Sequence, residues 1–273
     1  MPVFRMTDQR NVFMINRFFA DIRKYFSFSV VSARSQLKTE VAGSYLNWIW
    51  WILDPLCFML IYTFIFGYVF KSNEQYFPVF IFVGLSMWNF FNNTLKSSVR
   101  IVKRNKSIVS RVYFPKYVLI IAQLLADAFK MAISFGIVVL MMIFFKIPIT
   151  LNILFFIPII ITLMLFTFGC SCIVMHFGVY VEDLANVINI VLRFLFYLTG
   201  IFYNIKKKIP QIGAYLNEFN PLASMITAMR DCLIYSKTPD LRFMGLWFAV
   251  SVVLTICGVA LVYKEENSYL KAV

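Results

Sequence analysis

The chain has 273 residues, of which 61% are hydrophobic and only 14% charged, and its mean hydropathy is +0.77. A water-soluble domain is nearer half apolar and a quarter charged, so this composition describes an integral membrane protein and excludes a soluble one. The net charge of +13 does not point to nucleic acid, because the cations flank apolar runs and form no single solvent face. Anionic lipid headgroups and an anionic substrate are the expected partners.

Residues 1–46 read as a cytoplasmic N-terminal segment. Within it, Arg10 to Phe26 is amphipathic: Val12, Ile15, Phe19, Ile22 and Phe26 recur at spacings of three and four, with Arg10, Arg17 and Lys24 opposite. Charge interrupts the stripe too often for a crossing, which predicts a helix lying in the membrane interface. A cleavable signal peptide does not fit, since no unbroken apolar core or small-residue cleavage site follows the first arginines.

Residues 47–273 read as an all-α transmembrane domain of six spans. The first, Asn47 to about Phe70, opens on Trp48, Trp50 and Trp51, whose amphipathic rings suit the headgroup layer. Asp54-Pro55 follows just inside, where a carboxylate is costly unless it has a partner. After the short polar turn Lys71 to Tyr76, a second span covers Phe77 to about Thr94.

Next comes a basic loop, Lys96 to Lys116, with seven Lys/Arg and no acid. Val99, Val102, Ile108, Val109 and Val112 recur among its cations at roughly helical spacing, so it is expected to form a short amphipathic helix able to dock on a cytoplasmic partner. Ile108, Val109 and Val112 are the residues expected to insert into that partner, with Arg111 and Lys116 facing acidic groups or lipid phosphates.

The third span, Tyr117 to Phe145, carries Asp127 and Lys130 three residues apart on one face, where they are expected to neutralise each other. The fourth runs from about Leu151 to Met175, and His176 at its end reads as a satisfied structural residue. The fifth runs from about Leu184 to Phe202 and the sixth from Phe243 to Tyr263. Between these two, Tyr203 to Arg242 is too polar for a full crossing yet apolar in stripes. Asn220-Pro221 marks a helix start, Asn as N-cap and Pro at the first position. Leu222, Met225, Ile226, Met229 and Leu233 then form one apolar face, against Thr227, Arg230 and Asp231. Two short re-entrant helices in the outer half of the membrane are the expectation, tolerated there only against protein or a water-filled cavity.

The segment before the first span has seven Lys/Arg and the second-to-third loop seven more, against one in the Lys71 to Tyr76 turn, which puts both termini in the cytoplasm. Lys206, Lys207 and Lys208 run against that rule and belong to the re-entrant segment. The five cysteines (Cys57, Cys170, Cys172, Cys232 and Cys257) have no paired metal spacing and read as packing residues without a disulfide. No G-x-x-x-x-G-K-[ST] phosphate loop occurs, so the chain is not itself a P-loop ATPase. An intramembrane glycan-modifying enzyme would have to work with Asp54, Asp127, Glu182, Asp183 and His176. A secondary transporter would show an internal repeat, and none is clear.

In chain order, the first span's tryptophans, Asp54-Pro55 and Phe66-Gly67, the loop residues Asn105, Ile108, Val109, Arg111, Val112, Tyr113, Phe114, Pro115 and Lys116, the stretch Val181 to Tyr203, then Asn220-Pro221 and Ala228-Met229-Arg230-Asp231 follow a known pattern. The chain resembles the membrane-spanning permease subunit of ABC-type exporters for polysaccharides, O-antigen and teichoic acids. It departs from that pattern at Glu182, where the family has arginine, and at Gly200, where it has proline; the second change is expected to relax a kink. The resemblance implies a homodimer in the bacterial plasma membrane, two cytoplasmic ATPase subunits that carry the ATP and Mg, no cofactor in this chain, and a channel for a lipid-linked glycan between the subunits. Asn105, Ile108, Val109, Arg111, Val112, Tyr113, Phe114 and Pro115 are then the candidate coupling residues, while Trp48, Trp51, Tyr62, Phe66, Trp88, Phe91, Tyr197 and Tyr203 are candidate channel contacts. Arg10, Arg17 and Lys24 are candidates for binding the pyrophosphate of the substrate, against the alternative that they anchor anionic lipid. An ABC exporter of drugs or peptides, the neighbouring reading, would lack the interface helix and the Val-Tyr-Phe-Pro loop.

Overall fold

A computed structural model describes residues 3–43, 45–72, 74–205, 213–266 and 268–269, with side chains described from residue 16 onward except at position 47. Lys206, Lys207 and Lys208 and the side chain of Arg10 lie outside the described residues. All described regular structure is helical. Among the described residues four helices are long and apolar enough to cross a membrane: Trp50–Val69, Tyr117–Phe144, Leu151–Tyr180 and Leu241–Lys264, joined by the shorter apolar helix Leu184–Leu198.

Helix α1 runs Val3–Val41, well beyond the amphipathic stretch expected at Arg10 to Phe26. No Gly or Pro interrupts it until Gly43, whose positive φ of 86° follows its end. Its second half packs beside α6 (Tyr117–Phe144). The Phe28 ring meets Phe114 at 5.3 Å, buried Ser29 sits 3.5 Å from the Val118 carbonyl, and Glu40 reaches Lys130 at 2.8 Å.

Helix α2 (Trp50–Tyr62) continues as a π-helical turn, Thr63–Val69, and buries only Pro55 and Met59. At the centre stands α3 (Phe77–Val99), wrapped by α2, α6, α7 (Phe156–Tyr180) and α8 (Leu184–Leu198). Val79, Ile81, Phe82, Val83 and Met87 are wholly buried. The polar residues of its second half lie on the less covered side, Asn89 and Asn92 half-buried and Asn93 and Lys96 exposed. Helix α8 ends at Leu198, short of the expected Phe202. At 1.5 Å per residue its 15 residues span roughly 22 Å, less than a ~30 Å hydrocarbon core. The chain turns away at Gly200, whose φ is +64° and where any Cβ would collide with the Ile205 side chain. Proline cannot adopt that φ, so glycine here makes a turn and does not relax a kink.

The last long helix, α11 (Leu241–Lys264), packs most extensively on α7. Small residues let the two backbones approach: a Cβ on Gly169 would stand 2.8 Å from the Leu254 carbonyl carbon, and one on Gly258 2.8 Å from Cys172 Cβ. Thr255 Oγ1 donates to the Leu165 carbonyl across the seam at 3.1 Å. Gly258→Val forces these helices apart. It should lower stability by about 1–3 kcal/mol, read as a lower thermal midpoint in detergent.

Between α8 and α11 lie the two short helices expected from the sequence, α9 (Gly213–Phe219) and α10 (Pro221–Leu233). Asn220 caps α10, its side chain accepting from Leu222 N at 3.1 Å and Ala223 N at 3.3 Å. Leu222, Met225, Ile226, Met229 and Leu233 are buried as the periodicity requires. Arg230 overturns the expectation of a polar face, because it is only 3% exposed. Its Nε donates to the Phe80 carbonyl at 3.1 Å, Nη1 to Gly200 O at 3.0 Å and Nη2 to Ile201 O at 2.9 Å, with the guanidinium 3.4 Å over the Phe80 ring. Gly84 leaves room for it, since a Cβ there would be 2.6 Å from Nη2.

His176 is bonded to the Tyr269 hydroxyl at 2.8 Å, and all five cysteines are free.

Candidate functional site

The basic loop folds as two single-turn helices, α4 (Ile101–Arg104) and α5 (Lys106–Val109), followed by an extended stretch into α6. Asn105 links the turns: its side chain donates to the Ile101 carbonyl at 2.8 Å, and its own carbonyl accepts from Ile108 and Val109. The apolar residues then divide into two sets. Ile101, Val102, Val109 and Phe114 point inward, joining a cluster with Tyr117, Met175, Val179 and Val262, and Pro115 is buried beside them in sequence. Ile108, Val112 and Tyr113 remain 40%, 55% and 59% exposed.

This division corrects two expectations. Val109 does not face outward, because it is the pin that holds the loop on the helix ends. Lys116 is fully buried as well, its Nζ donating to the Phe114 carbonyl at 3.0 Å and lying 5.1 Å over the Phe114 ring. Burial lowers its pKa, with Glu266 opposing. Arg111 is exposed, as expected, and so are Arg104 and Lys106. Lys103 pairs with Glu182 at 3.2 Å, which ties that acid to the loop.

The loop is also tied to α1. Arg17 Nη2 lies 3.2 Å from Glu266 Oε2 and donates to the Tyr113 hydroxyl at 3.3 Å, its Nε is 3.6 Å from Asp21, and its guanidinium sits 4.3 Å over the Tyr263 ring. Asp21 in turn accepts from the hydroxyls of Tyr263 at 2.8 Å and Tyr117 at 3.3 Å. Burial alone would lower the Arg17 pKa, but Glu266, Tyr263 and Tyr113 outweigh it and raise it. A fork already engaged by two carboxylates has to surrender them before it takes a phosphate. Lys24, seven residues further along α1 and so on the same helical face, is exposed beside the Tyr25 ring at 5.1 Å.

At the opposite end, the candidate channel aromatics fall into two groups. Tyr62, Phe66 and Trp88 gather around two residues the sequence did not single out, Phe196 and Phe202. Phe66 stacks on Phe202 at 4.7 Å, Tyr62 meets Phe202 at 4.5 Å, and Trp88 meets Phe196 at 5.3 Å. Trp88 and Phe91 are buried within this chain, whereas Tyr197 and Trp48 stand out from it. Tyr203 donates its hydroxyl to the Tyr197 carbonyl at 2.8 Å. Trp51 stands apart, edge-on to Phe129 at 5.9 Å. The signal for Phe196 and Phe202 is present in the run of aromatics ending α8, but their partners become visible only when α2 is folded against them.

Asp127 and Lys130 are paired at 3.3 Å, as expected, and Lys130 also reaches Glu40 at 2.8 Å. Asp127 Oδ2 accepts from Thr94 Oγ1 and Gln123 Nε2, both at 2.9 Å, and Gln123 Oε1 accepts from Arg104 of the loop at 3.4 Å. No cluster of His, Cys, Asp or Glu among the described residues is arranged to hold a metal.

The sequence pattern of the family described as ABC-2 type transporter matches residues 29–234. The chain belongs to the ABC-2 type transporter family. Among this transporter's relatives, the O-antigen export system permease protein RfbA of Klebsiella pneumoniae is 27% identical over 245 residues, covering 89% of this chain and 94% of that protein. A protein of the same description from Myxococcus xanthus is 21% identical over 258 residues, with 94% and 99% covered. The polysialic acid transport protein KpsM of Escherichia coli is 24% identical over 241 residues, with 86% and 92% covered.

Proposed function

We propose that this ABC-2 transporter chain is the permease subunit of an ATP-driven exporter, which moves a lipid-linked polysaccharide of the O-antigen, capsule or teichoic-acid type across the bacterial plasma membrane. The observation that carries this reading is the similarity to O-antigen export permeases over 89% of the chain, with no large part of either protein left over. In this reading α2, α3, α6, α7, α8 and α11 make the six crossings, α9 and α10 re-enter the outer leaflet, and both termini are cytoplasmic.

The exposed apolar faces of α2 and α8 support a homodimer with the channel between them. Phe64, Tyr68, Phe194 and Tyr197 are more than 60% exposed in the single chain, and large apolar side chains left uncovered in this way are available to a partner subunit or to lipid. The Tyr62, Phe66 and Phe202 cluster lies behind that face as its wall. Ile108, Val112 and Tyr113 form the contact with the ATPase subunit, one on each of two copies, where ATP and Mg are bound. Of the candidate cations Arg10, Arg17 and Lys24, Lys24 is exposed, and Arg17 has to leave Glu266 and Asp21 to meet the pyrophosphate.

The test is genetic and biochemical together. Deleting the gene should remove the surface polysaccharide and restoring it should bring the polymer back, while the purified subunit alone should hydrolyse no ATP. Hydrolysis by the subunit alone, or an unchanged surface in the deletion strain, overturns the reading.

A further inference from the structure

A cavity of about 370 Å³ opens between the end of α1, the start of α2, the middle of α3 and α6. Its size falls in the range of ligand sites, about 300–1,000 Å³. Its lining is unusual for an apolar bundle: Trp51 and Asp54 come from α2, Asn89 and Asn93 from α3, Asp127 and Lys130 from α6. Glu40 completes the rim.

The charges decide what such a site takes. Three carboxylates face one ammonium, and Lys130 is already shared between Glu40 at 2.8 Å and Asp127 at 3.3 Å. A phosphate or pyrophosphate entering here meets net negative charge and no free cation among these residues, so the site is wrong for the anionic head of a lipid carrier. A hydroxyl-rich ligand meets what it needs. Carboxylates accept from hydroxyl groups, amides both accept and donate, and an indole offers an apolar face to the C–H side of a sugar ring. Asp127 is buried in the floor and already committed, its Oδ2 to Thr94 and Gln123 and its Oδ1 to the Lys130 ammonium at 3.3 Å, so it adds negative charge and fixes Lys130 in place. Trp51 is held in place from behind by its edge-on contact with Phe129 at 5.9 Å.

We infer that this cavity is a binding subsite for one uncharged sugar residue, seated against Trp51 and hydrogen-bonded by Asn89 and Asn93. It rests on the exporter reading and deepens it, by separating sugar recognition from pyrophosphate recognition. The site is also well placed to matter. Its floor, Asp127, is joined through Gln123 to Arg104 of the coupling loop by hydrogen bonds of 2.9 Å and 3.4 Å.

The full chain in lipid nanodiscs, with no ATPase present, is probed by saturation-transfer NMR. The ligands are methyl glycosides of glucose, galactose, mannose and N-acetylglucosamine, with methyl phosphate as the anionic probe. At least one glycoside should receive saturation, and methyl phosphate should receive none. In Asn89→Leu and in Trp51→Leu, two variants on different walls of the cavity, the glycoside signal should fall at least about fivefold, the scale of one lost hydrogen bond or stacking contact. Two variants are used so that a folding failure in one, seen by gel filtration, leaves the other to decide. The inference is overturned if no glycoside responds, if the signal survives in a folded variant, or if methyl phosphate binds as well as the sugars. Such a failure leaves the exporter reading standing, because that reading is judged by surface polysaccharide in the deletion strain.

Discussion

Arg230→Ala should leave a protein that inserts but does not hold its far end together, with a thermal midpoint in detergent lowered by roughly 10 °C. The guanidinium satisfies three carbonyls from two separate segments, at Phe80 and at Gly200 and Ile201. Hydrogen bonds to a charged group are each worth about 1.5–3 kcal/mol, and a carbonyl left buried and unpaired costs a comparable amount. Even with strong non-additivity the loss is on the order of 3–5 kcal/mol, and a chain of this size loses about 2–4 °C per kcal/mol. Lysine should not rescue, because a single ammonium cannot span three carbonyls that a planar fork reaches at once. Gly84 supplies an internal check. Gly84→Ala places a Cβ 2.6 Å from Arg230 Nη2 and should be strongly destabilising in the parent. In the Arg230→Ala background it should cost much less. Equal costs in the two backgrounds would show that Gly84 is kept for some other reason.

How much of this is legible in the sequence divides along a physical line. Where a signal is local, the residues announce it. The Asn220-Pro221 cap and the apolar stripe of α10 depend on positions a few residues apart, and the structure has both. The Asp127 and Lys130 pair, three apart on one helix, is of the same kind. Where the outcome depends on which neighbour covers a face, periodicity cannot decide. Ile108, Val109 and Val112 look alike in the sequence, yet only Val109 lies over the ends of α6 and α7. Arg230 reads as part of the polar side of α10 because its neighbours in sequence are polar. Its partners are carbonyls about 30 and 150 residues away, and no local pattern encodes them. The amphipathic stripe of α1 weakens at Phe26, while the helix continues because contacts to α6 at Ser29 and Glu40 hold it.

The same division sets the expected behaviour of the coupling loop. Val109→Asp, which periodicity alone would make a clean uncoupling change, should instead prevent the loop from seating. It places a carboxylate in a pocket that is 3% open, among Phe114, Tyr117 and Val179, at a cost of several kcal/mol. The variant should accumulate poorly and be cut by protease within residues 100–116. Val112→Asp sits on a side chain that is 55% exposed and should change stability by no more than about 0.5 kcal/mol. Its effect should fall on the partner. An aspartate in an apolar contact must be desolvated when the ATPase docks, and truncating or charging a central contact of that kind costs at least about 2 kcal/mol, some thirtyfold in affinity. Ile108→Asp should behave like Val112→Asp, since both project from the same exposed side as Tyr113. The measurement is the fraction of ATPase subunit that co-purifies with the membrane subunit, together with polysaccharide at the cell surface. If Val112→Asp and Ile108→Asp retain the ATPase and export at the parental rate, the exposed side of the loop is not the docking face, and the basic residues beside it serve orientation in the membrane alone.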